Sequence, residues 1–209
     1  MKCNIIALFI VNILLTSCVK QIEEKSSDIY NPTNLVSQIP NRTMDRSFLM
    51  YDNKNSLWRT LKGKLYSGYI VSYYEENKPK EKASVLNGKK QSQTIRWYPD
   101  GHLKELANYY KGKLHGEKKI WSSDTSHILI SHLNYFLGKA HGEQKQWYPT
   151  GELYKKMNLN MGREEGIQQA FRKNGDLYAN YEAKNGRIFG LKKTMLCYGL
   201  EDENIKYKE

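Results

Sequence analysis

The chain has 209 residues, a formal net charge of +11 and 26% charged residues, a length that allows one folded domain and a leader segment. Its lysines are spread among acidic residues and never form a block of five basic residues, so the composition gives no support for nucleic-acid binding.

Residues 1–17 are predicted to be a lipoprotein signal peptide. After a short basic start, residues 5–15 form an apolar run that is shorter than the roughly 20 residues of a permanent bilayer span. The segment Leu15-Thr16-Ser17-Cys18 resembles the lipobox of bacterial lipoproteins, which implies cleavage before Cys18 and acylation of that residue. An ordinary signal peptide with an incidental cysteine is the alternative. Acylation would anchor the protein stably in the bacterial cell envelope, at the outer membrane in a Gram-negative organism.

The mature chain would keep a single further cysteine, Cys197, which cannot form an internal disulfide and which we expect to pack beside apolar neighbours. Residues 18–50 are polar, contain Pro32 and Pro40 and show no hydrophobic period, so they are predicted to be a lipid-anchored flexible tether. Residues 51–200 are predicted to be a repeat array, and residues 201–209 a polar tail.

The array is recognised by a glycine, followed each time by lysine or arginine, that recurs about every 24 residues. A second turn signal lies within each unit, for example Tyr98-Pro99-Asp100-Gly101 and Tyr148-Pro149-Thr150-Gly151. Two turns per unit leave two alternating segments of strand length, so each unit is predicted to be a β-hairpin. The first glycines of the six units are Gly63, Gly88, Gly112, Gly138, Gly162 and Gly186.

Six hairpins in tandem predict an all-β fold, an elongated single-sheet antiparallel meander that resembles an open solenoid. The unit that begins at Gly112 is two residues longer than its neighbours. The extra residues fall at 122–126, where the Tyr-Pro-x-Gly turn is missing, and predict a longer loop.

Two further columns of residues repeat at fixed phase and are predicted to be structural. Large aromatic side chains follow the first glycine by nine residues and are expected to form the core, although a ladder of tryptophans is also typical of a sugar-stacking platform. These are Trp97, Trp121, Trp147 and Phe171. Most units also carry a second glycine four residues after the first, at Gly116, Gly142, Gly166 and Gly190.

This pattern resembles the bacterial variant of the MORN repeat, as found in proteins labelled YwqK-family antitoxins. The resemblance rests on Gly112-Lys113-Leu114-His115-Gly116 with Trp121, and on Gly138-Lys139-Ala140-His141-Gly142 with Trp147. It covers about residues 60–195 and implies a repeat fold. Ser92 stands in place of one second glycine, and Gly63 and Gly68 are spaced differently.

No catalytic motif is present in the sequence, and neither a cofactor nor a metal is expected. His115 and His141 share a phase but would lie two strands, about 9.6 Å, apart, too far for one zinc ion. His127 and His132 are five residues apart on one expected strand and would face opposite sides. Glu117 and Glu143 are expected to pair with lysines across strands.

Three functions remain open from the sequence. The first is an envelope lipoprotein whose array is a non-catalytic binding or scaffolding module for an unknown protein or envelope component. The second is a carbohydrate- or peptidoglycan-associated protein, which the tryptophans favour. The third is an antitoxin or immunity partner of a toxin, which rests on the family resemblance alone. If particular residues carry the function, we expect them where the units differ, in the 122–126 loop and on outward strand positions.

Overall fold

The computed structural model describes residues 38–191 and two short strands at 199–201 and 204–206. The predicted signal peptide 1–17, the acylation site Cys18, most of the tether and Cys197 lie outside these residues. Within the described part, no helix has both the length and the apolar character needed to cross a bilayer.

Strands make up nearly all of the regular structure, as the alternating segments predict. Two 3₁₀ helices, Arg46–Phe48 and Glu75–Asn77, connect early strands. The strands are β1 Thr43–Asp45, β2 Leu49–Asp52, β3 Leu57–Thr60, β4 Gly68–Tyr73, β5 Pro79–Leu86, β6 Lys89–Trp97, β7 Leu103–Tyr110, β8 Lys113–Trp121, β9 Leu129–Phe136, β10 Lys139–Ala140, β11 Gly142–Trp147, β12 Leu153–Asn160, β13 Arg163–Phe171, β14 Leu177–Lys184, β15 Arg187–Leu191, β16 Gly199–Glu201 and β17 Asn204–Lys206.

Thirteen of these strands form one open sheet that follows the chain from β4 to β15, with β10 beside β9. Neighbouring strands are antiparallel, so the predicted all-β antiparallel meander is confirmed. The exception is β1, which pairs in parallel with β4. The β2–β3 and β16–β17 hairpins are separate two-stranded sheets. Within residues 38–191, strand pairing begins at Thr43, inside the segment predicted as tether, and β17 lies in the predicted tail.

Five hairpin turns lie on the same side of the sheet, at the ends of its strands, and we call this side the glycine edge. The turns are at residues 87–88, 111–112, 137–138, 161–162 and 185–186. Both turn residues have positive φ, as in Lys111 (49°) and Gly112 (84°), which is the type I′ geometry that suits twisted hairpins. The turns are also joined from unit to unit. The glycine N–H donates to a carbonyl of the preceding unit, as in Gly138 to Leu114 at 2.7 Å and Gly162 to Ala140 at 2.7 Å.

Gly63 does not belong to this series, and the expectation of six such hairpins is wrong at its first unit. Gly63 lies in the connection after β3, where its N–H donates to the carbonyl of Thr60 at 2.8 Å. The first unit contacts the array through Tyr66, whose carbonyl accepts the N–H of Gly88 at 2.7 Å. Gly63 has a positive φ of 77°, but Lys62 before it does not, so this connection lacks the type I′ geometry of the other five turns.

The second glycines Gly116 and Gly166 lie at β-bulges, whereas Gly190 pairs in regular register with Tyr181. In the β12–β13 pair, Met157 pairs with Gln168 and Leu159 pairs with Glu164, so β13 carries two extra residues around Gly166. Gly166 has φ of 83°, a backbone region that disfavours residues with a Cβ. Ser92 holds the equivalent place on β6 with φ of 62°.

The opposite edge, the proline edge, consists of the turns at 74–78, 98–102, 122–128, 148–152 and 172–176. Each of the short turns has two backbone hydrogen bonds, one of which joins its first and last residues, for example from the N–H of Tyr98 to the carbonyl of His102 at 2.8 Å. In the loop 122–128 the same bond runs from Ser122 to Ile128 at 2.8 Å, so the predicted insertion is accommodated outside the sheet. Tyrosine hydroxyls link neighbouring turns by donating to the next unit, from Tyr74 to the Trp97 carbonyl at 3.0 Å, Tyr98 to Trp121 at 2.9 Å and Tyr148 to Phe171 at 2.9 Å.

Burial is concentrated on one face of the sheet, and most of its buried side chains are small or amide-bearing. Val85 and Ala107 are 0% exposed, and Gln144 and Gln168 are 2% and 1% exposed. Each glutamine bonds the backbone of an asparagine opposite a bulge, as in Gln168 to the carbonyl of Asn158 at 2.7 Å. A side-chain amide thus replaces the peptide group that the bulge removes from the ladder.

The prediction that the repeated aromatic side chains form the core is wrong. Trp97, Trp121, Trp147 and Phe171 are only partly buried. Because a single sheet has no second layer to cover large rings, its buried positions take small residues that longer neighbours can shield. The apolar cluster of the molecule instead lies at the start of the array, where β2–β3 packs against the sheet, and contains Leu49, Trp58, Tyr66, Ile70, Ala83 and Val85.

Candidate functional site

The repeated histidines of the glycine edge are side-chain acceptors for its turns. Each accepts the N–H of the first turn residue in the following unit, a residue held at positive φ. Gln91, which stands at the same phase one unit earlier, makes the same kind of contact with the unit that follows it. The pairs are Gln91 with Lys111 at 2.9 Å, His115 with Leu137 at 3.3 Å and His141 with Met161 at 3.4 Å. The sequence Gly-Lys-x-His-Gly therefore encodes a contact between units.

His115 shows what this contact requires. Its residue is 7% exposed, and burial lowers the pKa of its imidazole below the ordinary 6.5. Nδ1 accepts the turn hydrogen bond, so the neutral ring carries its proton on Nε2. The ring packs between Tyr110 and Phe136, with centroids at 5.8 Å and 5.0 Å. The hydrogen bond, the ring contacts and the lowered pKa all indicate that His115 has a structural role as a neutral imidazole.

The face opposite the buried one, called the open face, has closely paired charges. Glu143 lies 2.5 Å from Lys145 on its own strand and 3.3 Å from Lys156 on the next strand. Glu117 lies 2.7 Å from Lys119 and 3.2 Å from His132. The expected pairing with a lysine across strands is confirmed for Glu143 and is wrong for Glu117, which pairs with a lysine of its own strand and with His132 of the next strand.

The buried face carries an ion-pair chain across four strands. Glu81 lies 3.0 Å from Lys90 and 3.5 Å from Arg96, and Glu105 lies 3.4 Å from Arg96 and 3.2 Å from Lys118. Burial acts to raise the pKa of the Glu81 carboxyl, but the two cations outweigh it and hold that pKa below its usual range. Glu81 therefore stays charged at neutral pH, and the ion pairs link the four neighbouring strands β5 to β8.

A groove of about 260 Å³ opens where this ion-pair chain approaches the proline edge. It combines two aromatic rings with three cations and one carboxylate, a mixture that suits an anionic or sugar-like ligand. Its lining residues are Tyr74, Lys80, Glu81, Arg96, Trp97 and Lys104.

A second cluster lies at the proline edge and joins the 98–102 turn to the longer 122–128 loop. Asp100, His102 and His127 place one metal-ligating atom each within 4.8 Å of one another. The two imidazole rings stack with centroids 3.5 Å apart and planes 10° apart. Nδ1 of His102 is 3.4 Å from Oδ1 of Asp100, and Nε2 of His127 is 3.8 Å from Oδ2. These residues could hold a divalent cation.

Local contacts hold the members of this cluster in place. Oδ1 of Asp100 accepts the backbone N–H of His102 at 3.0 Å, and this bond is the main reason that the pKa of the Asp100 carboxyl lies below its usual range. In the loop, the carbonyl of Asp124 accepts the N–H of His127 at 3.2 Å. Nδ1 of His127 is buried without a hydrogen-bond partner.

Sequence reasoning missed this cluster because it compared the wrong histidines. His127 lies in a loop and not on a strand with His132, and its partner His102 belongs to another unit. A usable signal was present: Asp100 and His102 surround a turn glycine where the equivalent turn has Thr150 and Glu152, and His127 lies in the only unit with an inserted loop.

Two segments of the chain match a known family model. Residues 90–111 and 140–160 each match the MORN repeat variant. The first segment runs from β6 to the glycine edge after β7, and the second runs from β10 through β12. Each segment contains two neighbouring strands and the proline-edge turn that joins them, so each family match covers about one hairpin unit. No curated protein shows significant similarity to the chain.

Proposed function

We propose that this protein is a non-catalytic binding module of the bacterial cell envelope, which presents an open sheet of MORN-like hairpins to a protein or envelope component. The observation that carries the proposal is the open thirteen-stranded sheet, two segments of which match the MORN repeat variant. Repeat arrays bind through extended surfaces because each unit contacts only its neighbours and leaves its faces accessible.

The use of side chains within the sheet supports this proposal. The titratable residues that repeat, His115, His141, Glu117 and Glu143, are engaged in turn contacts or ion pairs. Exposed apolar side chains also occur on the array, such as Ile167 on the open face of β13 at 46% exposure. A surface of paired charges with scattered apolar side chains resembles a protein-binding surface more than a catalytic one.

The binding half of the proposal is tested by placing a photo-cross-linking residue at Ile167 in the native envelope. We expect a discrete cross-linked product from this open-face position. Leu61, which is 63% exposed in the connection after β3, is the control position and should give no such product. Equal products from both positions, or none from Ile167, would contradict binding through the open face.

The anchoring half rests on the predicted lipobox at Leu15-Thr16-Ser17-Cys18. Cys18→Ala is expected to abolish incorporation of a lipid label and to release the mature domain from the membrane fraction. Cys197→Ala is the matched control, because it removes the other cysteine of the mature chain and should leave label and fractionation unchanged. Retention of label in Cys18→Ala would show that the lipid is attached elsewhere.

A second candidate function, binding of a cell-wall glycan, is favoured by the groove beside Trp97. Rings of Trp97 and Tyr74 next to cationic side chains suit an acidic sugar. Retention on purified peptidoglycan that is lost in Trp97→Ala but kept in Trp121→Ala, which alters a ring outside the groove, would support this function. Absence of retention by the unmodified protein would contradict it.

A further inference from the structure

The cluster at the proline edge departs from the repeat in both of the segments that build it. The turn 98–102 carries Asp100 and His102 in the places where the turn 148–152 carries Thr150 and Glu152. The loop 122–128 contains the inserted residues and supplies His127. The repeat register alone therefore explains neither the choice of these residues nor their meeting.

The two imidazole rings of the cluster stack with centroids 3.5 Å apart, so two histidines of different units lie in one place. A neutral imidazole binds a metal ion through a ring nitrogen. Asp100 contributes an ionised carboxylate to the same space. The cluster thus offers imidazole nitrogen and carboxylate oxygen, which are zinc ligands in proteins.

The distances between the ligand atoms are close to those of a tetrahedral metal centre. With bonds of about 2.1 Å, two ligands on a tetrahedral ion lie about 3.4 Å apart. Nδ1 of His102 and Oδ1 of Asp100 already lie at 3.4 Å, and Nε2 of His127 lies 3.8 Å from Oδ2 of Asp100. All three ligand atoms lie within 4.8 Å of one another, so side-chain rotation must bring them closer for one ion to bind all three.

We propose that Asp100, His102 and His127 form a divalent transition-metal site that clips the 98–102 turn to the 122–128 loop, with Zn²⁺ as the fitting ion. Three protein ligands leave a fourth position for water or for a ligand from a partner. Nδ1 of His127 carries the proton in the bound state and has no second-shell acceptor, so the affinity is lower than that of a closed structural zinc site.

The site is tested by calorimetric titration of ZnCl₂ into the untagged, chelator-treated domain. We expect saturable binding of one ion per chain. The single variants Asp100→Thr and His102→Ala, and His127→Asn, should each weaken it at least about tenfold. Thr is the residue at the equivalent position of the turn 148–152, and Asn tolerates the positive φ of 47° at His127, so these variants preserve the backbone. Circular dichroism confirms that each variant is folded.

His132→Gln is the matched control, because it removes a histidine of the neighbouring strand β9 that pairs with Glu117 and lies outside the cluster. Its Zn²⁺ affinity should equal that of the unmodified protein. No saturable binding by the unmodified protein, or an affinity that the three cluster variants leave unchanged, would overturn the proposal. Loss of binding in His132→Gln alone would place the site elsewhere and overturn it as well.

Discussion

The two edges of the sheet use similar residues in opposite ways. At the glycine edge, Gln91, His115 and His141 repeat at one phase, and each accepts the N–H of a turn residue in the next unit. At the proline edge, His102 and His127 have no such repeating counterpart, and they meet because one loop is longer. Repetition at a fixed phase thus marks side chains that hold the register, and departure from the phase marks the candidates for binding.

The largest effect is expected from removing a glycine-edge acceptor that is buried. His115→Ala leaves the N–H of Leu137 without its acceptor and opens a cavity beside Phe136. We expect a loss of about 2–3 kcal/mol in the free energy of unfolding, measured by urea denaturation. His115→Gln introduces the residue found at Gln91 and should restore most of the stability. A His115→Ala variant as stable as the parent would contradict the acceptor role.

The bulge positions should respond to substitution with opposite signs. Gly142→Ser places a side chain at φ of 84°, where its Cβ would meet only Asn134 at an ordinary 3.7 Å, so the backbone strain alone should cost about 1 kcal/mol. Ser92→Gly relieves the same strain at φ of 62° and should stabilise by up to about 1 kcal/mol. Thermal unfolding of both variants checks the signs, and two shifts in the same direction would contradict equivalence of the two positions.

The tyrosine ladder of the proline edge should contribute less per contact. Tyr148→Phe removes one hydrogen bond of 2.9 Å to the carbonyl of Phe171, and we expect a loss of about 1 kcal/mol in urea denaturation. Tyr73→Phe, at a side chain in a residue that is 47% exposed, is the control and should be close to neutral. Equal losses of unfolding free energy in both variants would show that the hydrogen bond of Tyr148 makes no specific contribution to stability.

The smallest effect is a pH dependence of stability from His115. Because burial lowers the pKa of this imidazole below 6.5 in the folded state, the unfolded chain binds the proton more readily between the two pKa values. The contribution of His115 is therefore fully present above pH 6.5 and is lost as the pH falls through that window. His115→Gln should reduce the change in unfolding free energy with pH below pH 6.5. If the variant shows the same pH dependence as the parent protein, that dependence comes from other groups.

Much of the fold could be predicted from the sequence because its turn chemistry is local. The type I′ turns at positions such as Asn87-Gly88, together with the period of about 24 residues, predict the meander and its register. The parallel pairing of β1 with β4 could not be predicted, because it joins residues outside the period. The partial burial of Trp147 follows from the single-layer architecture, and aromatic content alone does not reveal it.

The candidate site was less predictable for a different reason. His102 and His127 are brought together by the path of an inserted loop, which the repeat period does not specify. The sequence did indicate residues 122–126 as the place where the units differ, and the cluster uses His127 directly after them. By contrast, the turn around Asp100 has the regular length and glycine of the repeat. Only a comparison of its side chains with those of the turn 148–152 shows that it differs.

The distinction between the two edges is tested most directly by thermal unfolding of His141→Ala and His102→Ala with and without Zn²⁺. His141→Ala should lower the Tm of the metal-free protein, because Met161 loses its acceptor, and should keep the rise in Tm on addition of Zn²⁺. His102→Ala should keep the metal-free Tm and lose the rise. A Zn²⁺-dependent rise that survives in His102→Ala, or that disappears in His141→Ala, would contradict the assignment of structural and binding histidines to different edges.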